Sequence, residues 1–426
     1  MFFLIVYGLF LLSNLLLYRR LRRGLGVWFP AAPQKKLGTL LGAFFIAANA
    51  PLLVSMALGW TGWSLERMPE PLLQWIYYPS LVWLAMLVGY FLLTAPKNVV
   101  VAMGRGLGLV YRRLVPAGPD PAFNASRRQF LAGLAPVAPT ALLGTAAYGV
   151  YGTKGDLEVS PEIAIPIPDL PRQLDGFRIT QLSDIHFGPY LRAKDMKPVV
   201  EASNTLRSEL VVITGDILDR SLRLLGEAGE SLQQLWAPFG VYAILGNHDY
   251  YSDQRNPLTG YPGCNRLVAG LEPTGIRFLR NERASIDLGN GAELLLAGLD
   301  WLGATRGDPN IYQQRQTRQA LRRILHGSNP EAVRVLLAHH PHTFMEAQDF
   351  GFPLTLAGHT HGGGQVVLGY INGVPIGLAA LRFRYIRGLY QESGRYLYVN
   401  RGIGYFGIPI RINCLPEISR FRLVRA

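Results

Sequence analysis

Cysteine is nearly absent: Cys264 and Cys414 are the only two in 426 residues. Two thiols so far apart in sequence rule out a Cys-x-x-Cys metal site, and they are expected to be unpaired rather than joined in a disulfide. Acidic residues are scarce at the front of the chain. Residues 1–160 hold fourteen Lys and Arg but five Asp and Glu, a net of +9, against +4 for the remainder. That excess lies among long apolar runs, so it is first a membrane signal. No zinc-finger spacing or RNA-binding signature accompanies it, and no nucleic-acid partner is expected.

About 20 mainly apolar residues are needed to cross a bilayer. Met1–Tyr18, Leu37–Gly59 and Pro71–Ala95 carry no charged residue, and Phe130–Tyr151 is a weaker, Ala- and Gly-rich fourth candidate interrupted by Pro136 and Pro139. The chain is therefore expected to be a multi-pass membrane protein, with residues 1–151 forming a membrane region of about four helices. Twelve Lys and Arg fall in the first and third connections, and one, Arg67, falls in the second. Short basic connections stay in the cytoplasm, so everything after Tyr151 is expected outside it. A signal peptide at Met1–Tyr18 is disfavoured because the basic residues follow the apolar stretch instead of preceding it. Ser126–Ala132, with Arg127 and Arg128, is similar to a twin-arginine export signal in an internal position. The twin-arginine translocation machinery is thus a candidate partner.

Gly152–Arg172 is Pro-rich and reads as a linker. From residue 173 to 426, apolar strands alternate with helical segments, the pattern of an α/β domain. Strands are expected at Phe177–Leu182, Leu210–Thr214, Val241–Leu245, Glu293–Leu299, Val333–Ala338, Leu354–Ala357, Tyr396–Asn400 and Phe421–Val424. Helices are expected at Lys194–Ser208, Ser221–Leu235 and Ile311–His326.

Five of these strands run into polar clusters: Asp184-Ile185-His186, Gly215-Asp216-Ile217-Leu218-Asp219, Gly246-Asn247-His248-Asp249, His339-His340-Pro341-His342 and Gly358-His359-Thr360-His361. Alpha/beta folds build their sites at the carboxyl ends of strands. Seven of the eight histidines lie in these clusters, far from the scatter expected of surface histidines. Carboxylate oxygens and imidazoles without thiolates suit Mn, Fe or Zn.

Taken in order, the clusters resemble the motifs of the calcineurin-like metallophosphoesterases, from about Phe177 to the C-terminus. Within that superfamily the likeness is to the membrane-associated branch of exported bacterial phosphoesterases and transmembrane proteins with a metallophosphoesterase domain. Gly246–Tyr250, Gly358–Gly363, Asn400–Gly404 and Pro416–Ile418 carry it. Gly362-Gly363-Gly364-Gln365 has one glycine more than the usual pattern.

The resemblance implies a four-layer α/β/β/α sandwich and a metal-dependent phosphoric ester hydrolase with two divalent ions. By it, Asp184, His186 and His361 hold the first ion, Asn247, His339 and His359 hold the second, and Asp216 bridges both. A hydroxide activated between the ions attacks phosphorus in line. His248 protonates the leaving oxygen, oriented by Asp249. His340 and His342 are assigned to structure or the rim, and Asp219 to support rather than ligation. Arg382, Arg384, Arg387, Arg401 and Arg411 are open between phosphate binding and structure. The expected substrate is a phosphoester, and a lipid-linked one is compatible with the membrane region. Two alternatives accompany this reading. One is a pyrophosphate-bond hydrolase of a nucleotide-linked lipid precursor, like the UDP-2,3-diacylglucosamine hydrolases. The other is a non-catalytic metal-bound binding domain.

Overall fold

The structure is a computed structural model that describes residues 2–59, 63–114, 134, 136–250, 262–289, 291–301 and 309–426. The chain divides into two compact units, Met1–Gly152 and Thr153–Ala426.

The first unit is helical, with principal helices at Phe2–Trp28, Gln34–Gly59, Tyr78–Leu114 and Val137–Ala147. Among the described residues, Gln34–Gly59 and the stretch 70–97 are the two helical segments long and apolar enough to cross a bilayer. Their polarity is inverted relative to a soluble bundle: Leu40, Phe44, Ile46, Val54, Leu92 and Leu93 face outward. Inside, Phe45 and Trp83 pack edge to face at 5.0 Å, Phe45 meets Tyr18 at 5.4 Å, and Asn49 donates to Asn14 across two helices at 3.0 Å. Buried amide pairs of this kind join helices where the surroundings offer no water. Two expectations change here. Arg19, Arg20, Arg22 and Arg23 continue the first helix instead of opening a loop, and Lys35 and Lys36 begin the next helix. The fourth candidate span is described only from its middle, as Val137–Ala147 continued by a π-turn to Gly152. The described part is about 24 Å of helix at 1.5 Å per residue, and residues 130–133 and 135 of the candidate lie outside the described residues. The Ser126–Ala132 motif lies outside the described residues.

The second unit is a four-layer sandwich. One six-stranded sheet has the order β1-β14-β2-β3-β4-β5, from β1 (Glu158–Ile167), β2 (Arg178–Leu182), β3 (Leu210–Thr214), β4 (Val241–Ile244), β5 (Ile276–Phe278) and β14 (Glu417–Arg425). The other has the order β12-β13-β9-β8-β7-β6, from β6 (Glu282–Asp287), β7 (Glu293–Leu299), β8 (Val333–Ala338), β9 (Leu354–Ala357), β12 (Gly388–Glu392) and β13 (Arg395–Val399). A small hairpin of β10 (Gly369–Ile371) and β11 (Val374–Ile376) stands apart.

Side-chain alternation assigns the layers. Leu210 and Val212 of β3 and Val335 and Leu337 of β8 fill the core between the sheets. Val211 and Ile213 point the other way, against the helices Ala193–Thr205, Leu225–Leu232 and Pro262–Leu271. Leu295 and Leu336 similarly meet Ala320, Leu321 and Ile324 of the helix Pro309–Leu325. Strands buried on both faces need apolar residues at every position, which explains the continuous runs in the sequence.

The stretch 152–172 is not a linker throughout. Glu158–Ile167 is β1, an edge strand parallel to β14. Its prolines are tolerated because of where they fall. Pro161 sits in a register shift between Val159 and Glu162, and Pro166 is on the edge strand opposite Val424.

A buried ionic clamp ties the two sheets. Tyr398 of β13 donates to Glu417 of β14, Ser419 donates to the same carboxylate at 2.9 Å, and Arg401 binds it through Nε at 2.6 Å. Arg401 also reaches Glu158 of β1 at 3.0 Å. Removing one member of a buried pair costs about 3–5 kcal/mol. Glu417→Ala is therefore expected to lower the melting temperature of the full-length protein in detergent by roughly 10 °C. Glu162→Ala, which breaks half-exposed pairs with Arg420 and Arg422, should shift it by less than about 2 °C. Differential scanning fluorimetry reads both.

Candidate metal centre

The parallel strands β2, β3 and β4 of one sheet and β8 and β9 of the other end at the same edge of the sandwich. Asp184 and His186 follow β2, Asp216 follows β3, Asn247 follows β4, His339 follows β8, and His359 and His361 follow β9. The turns lock together through the backbone: Asp184 N donates to Gly215 O at 3.0 Å, His186 N to Asp216 O at 2.9 Å, and Gly358 N to His339 O at 3.2 Å. Beneath them Gln181 bridges the sheets, donating to Thr214 Oγ1 and to the carbonyl of Ala357, each at 2.9 Å.

Five of these residues, Asp184, His186, Asp216, His359 and His361, have positive φ between 47° and 73°. A left-handed conformation costs a non-glycine residue roughly 1 kcal/mol or more and clusters at functional sites. Glycine neighbours make room for the turns. At Gly215, itself at φ 92°, a Cβ would stand 2.7 Å from both Gly246 N and His339 Nδ1. At Gly358 a Cβ would overlap the Asp184 carboxylate and Ser183 Oγ.

The seven side chains converge in two groups. Asp184, His186 and His361 form one, and Asp216, His339 and His359 form the other, all buried or half-buried. Asn247 Oδ1 joins the second group, 3.2 Å from His339 Nε2. Donor atoms sharing one ion at about 2.1 Å must stand about 3.0–3.4 Å apart. His186 Nε2 and His361 Nε2 are 3.0 Å apart, His361 Nε2 and Asp184 Oδ1 3.4 Å, and His359 Nδ1 and His339 Nε2 3.3 Å. Asp216 links the two groups, sharing a further cluster with His186 and His248: its Oδ2 is 3.5 Å from His186 Nε2 and 3.3 Å from His339 Nε2, while Oδ1 accepts from His248 N at 2.8 Å.

The chemistry of the donors fits divalent cations. His339 Nδ1 meets the carbonyl of Thr214 at 2.7 Å, which can only accept. Nδ1 therefore carries a proton, and Nε2 is the nitrogen that faces the cluster, as metal-binding histidines are usually held. Burial, reinforced by neighbouring imidazoles, holds His359 and His361 well below the usual histidine range, so both present lone pairs. Burial also disfavours charge on His339, but the Asp216 carboxylate outweighs it and pushes the imidazole up to about 9. A cation between the two replaces that proton.

His248 has a different companion from the one expected. Its Nδ1 meets Asp219 Oδ1 at 2.8 Å. Asp249 turns away, accepting from the backbone N–H groups of Gly246, Ile217 and Leu218 at 2.9–3.0 Å. Successive residues on the short helix Asn247–Tyr250 point about 100° apart, so Asp249 stitches the β3 and β4 turns together while Asp219, on the β3 turn, holds the ring. Burial works to raise the Asp219 carboxyl, yet the imidazoles of His186, 3.8 Å away, and His248, hydrogen-bonded to it, carry it well below the usual range. His248 Nε2 lies 3.4 Å from Arg220 Nη2, in a side chain that is buried.

Two of the five candidate arginines are structural. Arg411 is fully buried, and its Nη atoms donate to the carbonyls of Arg401, Cys414, Gly402 and Gly404. Arg401 belongs to the clamp with Glu417. Arg384 pairs with Glu392 at 3.0 Å, and Arg387 donates to Asn413 O. His340 and His342 stand at the rim, in an aromatic group with Trp301 and Phe383. Cys264 and Cys414 are buried and are not joined to each other in a disulfide. The extra glycine lies in a run of left-handed residues from Gly362 to Gln365, after which the Gln365 amide donates to Phe406 O at 2.8 Å.

Asp216→Asn should remove the anionic bridge. Elemental analysis of manganese-loaded protein is expected to fall from about two ions per chain to one or fewer. Two ions retained would refute the bridging assignment.

The calcineurin-like phosphoesterase family pattern matches residues 177–363. Metallophosphoesterase YkuE from Bacillus subtilis is 33% identical over 303 residues, 70% of this chain and 97% of its own length. The transmembrane protein with metallophosphoesterase domain from Danio rerio is 33% identical over 293 residues, 67% of this chain. The chain spans only 62% of that relative's length. Among solved structures, a dimetal phosphatase from Danio rerio is similar at 12% identity and a TM-score of 0.31, covering 54% of this chain and 88% of its own. The relatives' names and the two apolar helices point to association with a membrane. By its ordered motifs, the family pattern and the sequence likeness to YkuE, the chain belongs to the calcineurin-like metallophosphoesterases, metal-dependent hydrolases of phosphoesters.

Proposed function

We propose that the C-terminal unit hydrolyses its phosphoester outside the cytoplasm, at a dinuclear metal centre bridged by Asp216. The observation that carries this reading is the single oxygen, Asp216 Oδ2, lying within 3.5 Å of imidazoles from both ligand groups. Asp184, His186, His361 and Asp216 would hold one ion, and Asp216, Asn247, His339 and His359 the other. When bound, the pair supplies a nucleophile from water at neutral pH and offsets charge on the phosphoryl group.

The remaining chemistry belongs to the chain. His248 Nε2–H gives its proton to the leaving oxygen. Asp219, accepting from Nδ1–H, fixes the ring and opposes the burial that holds this imidazole below the usual histidine range. Asp219 is thus a positioning residue, and Asp249 shapes the loop that presents His248.

His248→Asn should retain metal and slow turnover by about 10²-fold for alkyl phosphoesters, the scale of general-acid loss. It should change p-nitrophenyl phosphate turnover far less, because that leaving group departs unprotonated. Asp219→Asn should shift the leaving-group dependence the same way to a smaller extent. Uniform slowing across leaving groups would sink the acid role.

The extracytoplasmic placement, and the multi-pass topology behind it, rest on the twelve-to-one bias of basic residues between the sequence stretches that separate alternate apolar segments. Alkaline phosphatase fused after Ala426 should be active, and green fluorescent protein exported by the general secretory route should be dark. Protease added to intact spheroplasts should digest the domain, and complete protection until lysis would overturn the topology. Replacing Arg127 and Arg128 with Lys asks separately whether export uses the twin-arginine route.

A further inference from the structure

The described part of the C-terminal unit exposes twelve large apolar side chains, and seven of them fall between Leu368 and Leu381. These are the β10–β11 hairpin and the turn after it. Leu381 is 87% exposed, Leu368 74%, Leu378 67% and Ile371 63%. Soluble surfaces scatter such residues singly, and a concentration of this kind marks an interaction surface. A two-stranded hairpin also has too little core to hold itself together. This one is anchored at its base, where Leu368 N donates to Ile376 O and the backbone of Gly377 lies against the carbonyls of Gly363 and Val366. That base is the glycine turn following His361, so the apolar tip is joined to the edge of the metal centre.

Charge narrows the partner. No acidic residue occurs between Asp349 and Glu392, whereas Arg382, Arg384 and Arg387 follow the apolar run. Arg384 is engaged with Glu392, Arg387 lies 5.6 Å from the centre of the Tyr370 ring, and Arg382 is exposed. Exposed leucine and isoleucine beside an interfacial tyrosine and arginines, with no carboxylate in the run from 350 to 391, match the boundary between lipid tails and anionic headgroups. A chain that carries apolar spanning helices keeps such a surface close to a bilayer.

We propose that the hairpin and its following turn are a lipid-docking surface, seating the metal centre at headgroup level so that the phosphoester it takes is carried on a lipid. The docking half stands on the surface alone, and the substrate half rests on the phosphoesterase reading above.

Full-length protein is reconstituted in phosphatidylcholine–phosphatidylglycerol vesicles, with Leu381→Cys labelled by an environment-sensitive fluorophore. Trp236→Cys, exposed near the opposite ends of the strands, is the control. Lipid-borne nitroxide should quench the label at 381 and leave that at 236 unchanged. A label at 381 open to aqueous iodide and unquenched by nitroxide would overturn docking. So would shielding that grows with protein density, which would mean a second copy covers the surface. The triple variant Ile371→Ser, Leu378→Ser, Leu381→Ser should lose about tenfold or more in turnover of dioleoyl phosphatidic acid in vesicles. It should keep wild-type turnover of soluble p-nitrophenyl phosphate. Equal lipid turnover by variant and wild type, or wild-type activity on the soluble ester alone, would overturn the substrate half. Inactivity of wild type on both esters would fail the phosphoesterase reading and leave docking to be decided by quenching.

Discussion

Asp216 stands at the end of β3 with one carboxylate oxygen fixed by the His248 N–H and the other facing imidazoles contributed by both sheets. A carboxylate removed from water demands compensation, and here its partners are imidazoles and a backbone donor. Asp184 is buried under the same constraint, with its oxygens taken by Ser183 Oγ and the His359 N–H. Divalent ions satisfy both carboxylates at once. They also oppose the mutual crowding of His186 with His361 and of His339 with His359. The rest of the catalytic unit arranges itself around this demand.

Its cost is visible in the backbone. Five of the candidate ligand residues adopt left-handed conformations, and Gly215, Gly246 and Gly358 lie so close to His339, Asp216 and Asp184 that no side chain fits. Such turns persist only where the surrounding structure over-determines them. The Gln181 bridge and the Glu417–Arg401–Tyr398 clamp do this by fixing one sheet against the other. Arg411 secures the loop around Gly402 and Gly404 from below. The Asn400–Gly404 and Pro416–Ile418 segments, which carry part of the family likeness, are therefore explained as scaffold.

Much of this was legible in the sequence because the chemistry leaves few choices. Doubly buried strands must read as apolar runs, and ligands must be His, Asp or Asn beside small residues at their ends. Orientation was not legible. Asp249 adjoins His248 in sequence but points a third of a turn away, and the ring's companion, Asp219, comes from a separate loop. Nor did the proline content of 158–167 reveal a strand, because edge position and a bulge are properties of the assembled sheet. The short strands β5, β10 and β11 carry too few residues for a period to show. In the helical unit, composition marked the apolar stretches but not where each helix ended, so arginines expected in a connection extend the first helix.

The proposed centre rests on one oxygen that two ions would share. Anomalous diffraction at the manganese edge, from crystals grown with that metal, tests it directly. It should give two peaks about 3.5–4 Å apart, both in contact with Asp216, one among Asp184, His186 and His361 and the other among Asn247, His339 and His359. A single peak, or two peaks of which one leaves Asp216 untouched, would contradict it.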